Sequence, residues 1–145
     1  MGTNVILLVE DNPDDSELAL RAFARAQVKC DVVLARDGVE ALDYLLGTGS
    51  ETAPPAPLPD VVLLDLKLPR IDGLDVLRRL RAETRTRHLP VIVLTSSERE
   101  DDIAASYALG ANSYLRKPVE FARFSEVARQ IGAYWLALNL TPRGA

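Results

Sequence analysis

The sequence has little of the chemistry on which disulfide, zinc and membrane proteins depend. Its 145 residues include one cysteine and one histidine, so neither an internal disulfide nor a Cys/His metal site is expected. The longest apolar runs, such as 5–9 and 91–94, are far too short to cross a bilayer, and the first residues lack a basic signal-peptide region. These absences predict a cytoplasmic protein with no membrane contact, in which any metal has oxygen ligands.

An excess of charge of one sign is also missing. The chain has 17 Lys and Arg against 21 Asp and Glu, which gives a formal net charge of −4 without a long run of like charge. Nucleic acid is therefore not an expected partner. Hydrophobic residues make up 48% of the chain, enough for a packed core, and the length fits one domain. We expect a single globular domain.

Short apolar segments alternate with helical patterns along the chain. Segments rich in β-branched residues predict buried strands at 5–9, 32–35, 61–64, 91–94 and 113–115. Apolar residues recur at helical spacing after each strand, and the last helix begins near Val119. Expected caps of the first four helices are Asp14 or Asp15, Asp37, Asp72 and Ser97. This alternation is typical of a doubly wound α/β domain with helices on both faces of a parallel five-stranded sheet. The Pro-rich segment 47–59 is expected to be a surface loop.

Polar residues follow the predicted strands at the point where each one ends. Glu10 and Asp11 follow the first strand, Asp65 the third, Thr95 closes the fourth, and Lys117 lies just past the fifth. In a sheet of order 2-1-3-4-5, ligands bind outside the carboxyl ends of strands 1 and 3. The five side chains are therefore expected to meet in one cleft.

Three carboxylates in one cleft repel one another unless some are protonated or a cation binds between them. Mg²⁺, or Mn²⁺ in its place, prefers such oxygen ligands and commonly shares them with phosphate oxygens. A carboxylate beside the cation can act as the nucleophile on a phosphoryl group, and an ammonium and a hydroxyl can stabilise the developing charge. The pattern predicts a metal-dependent aspartyl-phosphate site with Lys117 and Thr95 as the stabilising groups.

Each of these residues also has a purely structural interpretation. Asp11 could belong to an acidic helix start together with Asp14 and Asp15, and Asp65 could cap a turn. Thr95 could serve only as a strand-end hydrogen-bonding group, which is as compatible with its position as a site role.

Five motifs in this order resemble the receiver domain of two-component response regulators. They are Val9-Glu10-Asp11-Asn12, Leu63-Leu64-Asp65-Leu66, Pro69-x-x-Asp72-Gly73, Val93-Leu94-Thr95-Ser96-Ser97 and Gly110-Ala111-x-x-Tyr114-Leu115-x-Lys117-Pro118. The resemblance implies a flavodoxin-like three-layer fold with strand order 2-1-3-4-5. It predicts one receiver domain over 1–145, with a core at about 4–135 and a C-terminal tail at 136–145 that is too short for an output domain.

The resemblance also implies roles for the acidic residues. Asp65 would accept a phosphoryl group from a sensor histidine kinase. Asp11, Asp65 and the main-chain carbonyl of Lys67 would bind Mg²⁺ directly, and Glu10 would act through water.

The phosphoryl group would in turn be contacted by Thr95 and Lys117, as the resemblance implies. Tyr114 would turn inward when Thr95 moves towards the phosphate, although an ordinary half-buried aromatic fits this position equally well. The whole chain looks most like the stand-alone regulators that partner bacterial phytochrome kinases. It is expected to act as a phospho-switch, or alternatively as a phosphate shuttle in a relay, and not as an enzyme.

The same topology allows three other functions. A phosphatase resembling the haloacid dehalogenases would need a second Asp two residues after its nucleophile, where Lys67 stands. Flavin binding would need a Ser/Thr/Gly-rich loop after the first strand, and Glu10 and Asp11 would repel phosphate there. A receiver that only binds proteins would usually have lost the acidic residues, which are present.

Two further predictions concern the C-terminal part of the chain. The peptide bond between Lys117 and Pro118 is expected to be cis, since X-Pro bonds adopt that isomer at a small cost and the resemblance implies it. The apolar pattern of the last helix continues beyond the core through Tyr134, Trp135 and Leu138, which predicts a homodimer through this helix. Alternatively, Trp135 and Leu138 fold back over the sheet edge of their own chain.

Overall fold

The computed structural model describes residues 3–47 and 57–142, so most of the predicted loop 47–59 lies outside the described residues. Strands and helices alternate as predicted. Their bounds are β1 Asn4–Val9, α1 Pro13–Arg25, β2 Cys30–Ala35, α2 Gly38–Leu46, β3 Val61–Leu64, α3 Gly73–Ala82, β4 Val91–Thr95, α4 Glu100–Ala108, β5 Ser113–Arg116 and α5 Phe121–Ile131. The last helix continues without interruption into a π-helical segment, Gly132–Leu138. No helix in the two described ranges is long and apolar enough to cross a membrane.

The five strands form one parallel sheet in the order β2-β1-β3-β4-β5, which confirms the predicted fold. Side chains alternate between its two faces, as the two-residue period of a strand requires. Ile6 and Leu8 pack under α1 and α5, whereas Leu7 and Val9 pack under α2 and α3. Because both faces are covered, β3 and β4 are buried along their whole length. The carboxyl ends of β1 and β3 are thereby fixed side by side.

Two of the four predicted helix caps are wrong. The side chain of Asn12, not of Asp14 or Asp15, accepts from the backbone of α1, because Pro13 occupies the first turn and moves the cap one residue back. Ser97 does not cap α4 either, since its hydroxyl donates to the carboxylate of Asp102 at 2.5 Å. The caps predicted for the other two helices are confirmed: Asp37 and Asp72.

The π-helical segment divides its apolar residues between the core and the solvent. Trp135 and Leu136 are partly buried against the cluster between the sheet, α1 and α5. Tyr134 and Leu138 remain 49% and 72% exposed. The predicted fold-back therefore holds for Trp135 and is wrong for Leu138.

Candidate metal and phosphoryl site

The carboxyl ends of β1 and β3 bring three acidic side chains together. One carboxylate oxygen each from Glu10, Asp11 and Asp65 lies within 4.8 Å of the others. Glu10 and Asp65 are buried and Asp11 is exposed, so the group opens to solvent on one side. The predicted convergence of these residues is thus present in the structure.

Lys117 reaches the same place from the loop after β5. Its Nζ lies 2.6 Å from Glu10 Oε1, 3.1 Å from Asp65 Oδ2 and 3.0 Å from Asp15 Oδ2. Sequence reasoning missed Asp15, which it assigned to helix capping. No local pattern could have indicated this contact, because Asp15 and Lys117 are 102 positions apart in the sequence.

The cluster shifts the pKa values of its buried members. Burial raises the pKa of Glu10 above its usual value, although the hydrogen bonds with Lys117 and the amide of Asn12 act in the opposite direction. Burial alone would lower the pKa of Lys117, but the hydrogen bonds to Glu10 and Asp15 and the charge of Asp65 outweigh it and raise the pKa. Lys117 is therefore fully charged at neutral pH.

The loop after β3 lies unusually close to the main chain of Asp65. A Cβ on Gly73 would be 2.2 Å from the carbonyl oxygen of Asp65, so only glycine allows α3 to begin there. The amide of Gly73 donates to the carbonyl of Leu66, and that of Lys67 makes a long 3.4 Å bond to Asp65 Oδ1. This packing fixes the backbone directly after Asp65.

Thr95 and Tyr114 lie on β4 and β5. Thr95 is buried at the end of β4, and its carbonyl accepts from the amide of Lys117 at 2.7 Å. The Tyr114 hydroxyl donates to the carbonyl of Ser97 at 3.0 Å. Burial raises the pKa of Tyr114, partly offset by this bond. The ring is thus partly buried, close to the loop that follows Thr95.

The peptide bond between Lys117 and Pro118 is trans, as are all described bonds, so the predicted cis isomer is wrong. Residues 117–120 separate β5 from α5, which gives the chain enough length to turn with the intrinsically preferred isomer. The hydrogen bond from the amide of Lys117 to Thr95 aims the lysine at the cleft instead.

The side chains fit a hard divalent cation. Three carboxylates supply the oxygen ligands that such ions prefer, and they converge within the span of one coordination sphere. In the part of the chain that the structure describes, the Lys117 ammonium is the one positive charge that faces this group, and it contacts Glu10, Asp65 and the nearby Asp15. Negative charge is therefore in excess. A bound cation would offset that excess.

Comparison with known proteins agrees with this geometry. The response regulator receiver domain model matches residues 6–129. The chain is 42% identical over 139 residues to the probable methanogenesis regulatory protein FilR2 of Methanothrix harundinacea, covering 95% of this chain and 87% of that protein. It shares 35% identity and a TM-score of 0.83 with the Mn²⁺-bound form of response regulator Rcp1, a protein of Synechocystis, covering 96% of this chain and 99% of that chain. The chain is 50% identical to the bacteriophytochrome response regulator AtBRR, with a TM-score of 0.76, and the match covers 97% of this chain and 100% of that chain. The chain belongs to the response regulator receiver domain family, whose members are signalling domains that accept phosphate from histidine kinases.

Proposed function

We propose that Asp65 is the residue that accepts the phosphoryl group. The observation that carries this proposal is a buried carboxylate at the end of β3 whose Oδ2 is 3.1 Å from Lys117 Nζ and which shares its cleft with Glu10 and Asp11. An oxygen of Asp65 forms a bond to phosphorus while the bond from phosphorus to the imidazole nitrogen of the kinase breaks. The electron pair of that bond leaves with the imidazole. The domain itself catalyses this transfer and the later loss of phosphate, without turning over a separate substrate.

Mg²⁺, or Mn²⁺ as in the structure of Rcp1, would be bound directly by Asp11, Asp65 and the main-chain carbonyl of Lys67, and Glu10 would act through water. When bound, the ion would supply positive charge to the phosphoryl oxygens. Lys117 contributes a second positive charge at the same oxygens, and the hydroxyl of Thr95 donates a hydrogen bond to one of them. Movement of Thr95 would free space into which Tyr114 turns, which changes the surface near α4 and β5.

Intact-mass measurement after incubation with acetyl phosphate and Mg²⁺ tests the acceptor. Wild type should gain one phosphoryl group, and Asp65→Asn should gain none because an amide is not a competent nucleophile. Asp14→Asn is the matched control, since Asp14 is an exposed carboxylate at the same end of the sheet. Full labelling of Asp65→Asn would show that another residue is the acceptor.

We further propose a cytoplasmic switch, formed by one receiver domain over 1–145, that receives phosphate from a phytochrome histidine kinase. The similarity to AtBRR supports this partner. A role as shuttle in a relay is the second candidate. Phosphate transfer from a purified phytochrome kinase should be at least tenfold faster than from an unrelated sensor kinase. Equal rates would remove the phytochrome assignment and leave Asp65 as acceptor.

The C-terminal helix is proposed as the surface of a homodimer, with Tyr134, Trp135 and Leu138 at the interface. Tyr134 and Leu138 are exposed apolar side chains, and the ring of Trp135 supports Tyr134 edge-on at a centroid distance of 4.9 Å. An interface of this kind commonly has an aromatic at its centre. Sedimentation should give a dimer for wild type and a monomer for Tyr134→Ser/Leu138→Ser. A wild type that stays monomeric at high micromolar concentration would overturn the proposal.

A further inference from the structure

The opposite end of the sheet contains a cleft built partly by residues outside the family match. Two adjoining cavities, with volumes of about 380 and 430 Å³, lie below the amino-terminal ends of the strands. One wall is the connection between α3 and β4. The other is the segment 135–142, which follows the matched range 6–129. We call the surface around Arg81, Arg87, His88, Trp135 and Asn139 the basic cleft.

Arg81 at this cleft is a partly buried charge whose described hydrogen-bond partners are all neutral. Its Nε and Nη2 donate to the carbonyl of Gly110 at 3.0 and 2.8 Å, its Nη1 to the carbonyl of Thr86, and its Nη2 also to Asn112 Oδ1. All of these acceptors are neutral, and within residues 3–47 and 57–142 no carboxylate forms an ion pair with Arg81. Burial accordingly lowers the pKa of Arg81. The guanidinium is hydrogen-bonded, but these neutral acceptors do not neutralise its positive charge.

A second arginine adds to this positive character. Arg87 is exposed on the same wall, beside the exposed ring of His88. The one carboxylate among the described lining residues is Asp60, whose Oδ2 already accepts from the amide of Val5 at 2.8 Å. This accumulation contrasts with the net charge of −4 of the whole chain. The cleft is therefore suited to an anion.

An aromatic wall completes the cleft. Trp135, the single tryptophan of the chain, is partly buried and lines both cavities. Pro90 and Pro142 line both cavities as well. Ligand pockets commonly have such volumes, apolar walls and a few polar groups that fix orientation. We propose that the basic cleft binds a small aromatic anion, with its ring against Trp135 and its acidic group towards Arg81 and Arg87. This site is independent of the proposed phosphorylation of Asp65.

Two fluorescent probes of nearly equal shape test the proposal on the full chain. 8-Anilinonaphthalene-1-sulfonate is an aromatic anion, and N-phenyl-1-naphthylamine is its uncharged counterpart. The anion should bind saturably, quench Trp135 and bind at least about tenfold more tightly than the neutral probe. Equal affinity for both probes would mean an apolar surface only and would overturn the proposal.

Charge reversal and NMR localise the binding. Arg87→Glu should weaken binding of the anion about tenfold, whereas Arg79→Glu, an exposed arginine on α3 outside the cleft, should change it less than about twofold. Amide NMR of wild type with the anion should shift the Trp135 indole N–H and Gly110, and leave Asp11 and Asp65 unchanged. Equal losses in the two variants, or shifts confined to Asp11 and Asp65, would contradict the assignment. Circular dichroism of both variants checks that they are folded.

Discussion

The two ends of the sheet carry uncompensated charges of opposite sign, and different chemical groups surround the charge at each end. At the carboxyl end, Lys117 faces three carboxylates and Asp11 lies beside them, so negative charge is in excess. At the amino end, Arg81 is bonded to carbonyl and amide oxygens that carry no net charge. Because a partly buried charge without a counter-ion is costly, an ion of opposite sign would stabilise either end if it bound there. The net charge of a binding site can therefore come from a cluster of carboxylates or from one arginine whose partners are neutral backbone carbonyls.

The two ends also differ in which part of the chain builds them. Every residue of the acidic end lies within the matched range 6–129. The basic cleft is closed by the segment 135–142, beyond that range. The acidic end thus lies wholly within the family match, whereas one wall of the basic cleft lies beyond it.

Removal of the ammonium should have the largest effect on the acidic end. Lys117→Met leaves Glu10 and Asp65 buried without their cation, and such a loss costs about 3–5 kcal/mol of unfolding free energy. Urea unfolding in a chelating buffer measures it. Lys67→Met is the matched control, because Lys67 is an exposed lysine next to the same site and should change stability by less than about 0.5 kcal/mol.

The same variant has a pH signature. Burial already raises the folded-state pKa of Glu10, and loss of Lys117 removes a group that lowers it. A carboxyl group with a raised folded pKa contributes stability at low pH that is lost as pH rises through that pKa. The destabilisation by Lys117→Met should therefore be smaller at pH 5 than at pH 7.5. A pH-independent loss would mean that Lys117 stabilises the fold by packing alone.

A pair of glycines compares the tolerance of the two ends. Gly73→Ala would place a methyl group 2.2 Å from the carbonyl oxygen of Asp65, which is rigid backbone, and should cost about 2–3 kcal/mol. Gly110 has a φ of +100°, and the methyl group of Gly110→Ala would lie 2.8 Å from the Arg81 side chain. Because that side chain can move, we expect a loss of about 1–2 kcal/mol of unfolding free energy. Thermal unfolding measures both. A larger loss for Gly110→Ala would show that Arg81 is held as rigidly as the backbone after β3.

The sequence allowed the acidic end to be predicted because its residues follow buried strands. Apolar runs located β1 and β3, and their order placed Glu10, Asp11 and Asp65 together. Asp15 was missed because its bond to Lys117 joins residues 102 positions apart, which no local pattern reports. The cap of α1 was missed because Pro13 shifts the helix start to Asn12.

The basic end gave no comparable signal. Arg81 is bonded to the carbonyl of Gly110, 29 residues away, and every residue type has such a carbonyl. The arginines around it were therefore indistinguishable from an ordinary solvated helix face. The split between partly buried Trp135 and exposed Leu138 likewise depends on the π-helical geometry, which alters the angular spacing of side chains and leaves no clear mark in the sequence.

The smallest expected effect on stability is that of Asp11→Asn, although its effect on metal binding should be large. Asp11 is exposed and contributes one of the crowded carboxylates, so neutralising it relieves repulsion without opening a cavity. In a chelating buffer the melting temperature should stay within about 2 °C of wild type or rise slightly. Because one of the few anionic oxygen ligands is lost, the Kd for Mg²⁺ should increase at least about tenfold, measured by titration calorimetry. Asp14→Asn, an equally exposed change nearby, should leave both quantities unchanged. A clear loss of stability in Asp11→Asn without metal would identify Asp11 as a structural residue of the start of α1, and would leave the acidic end with too few ligands for the proposed ion.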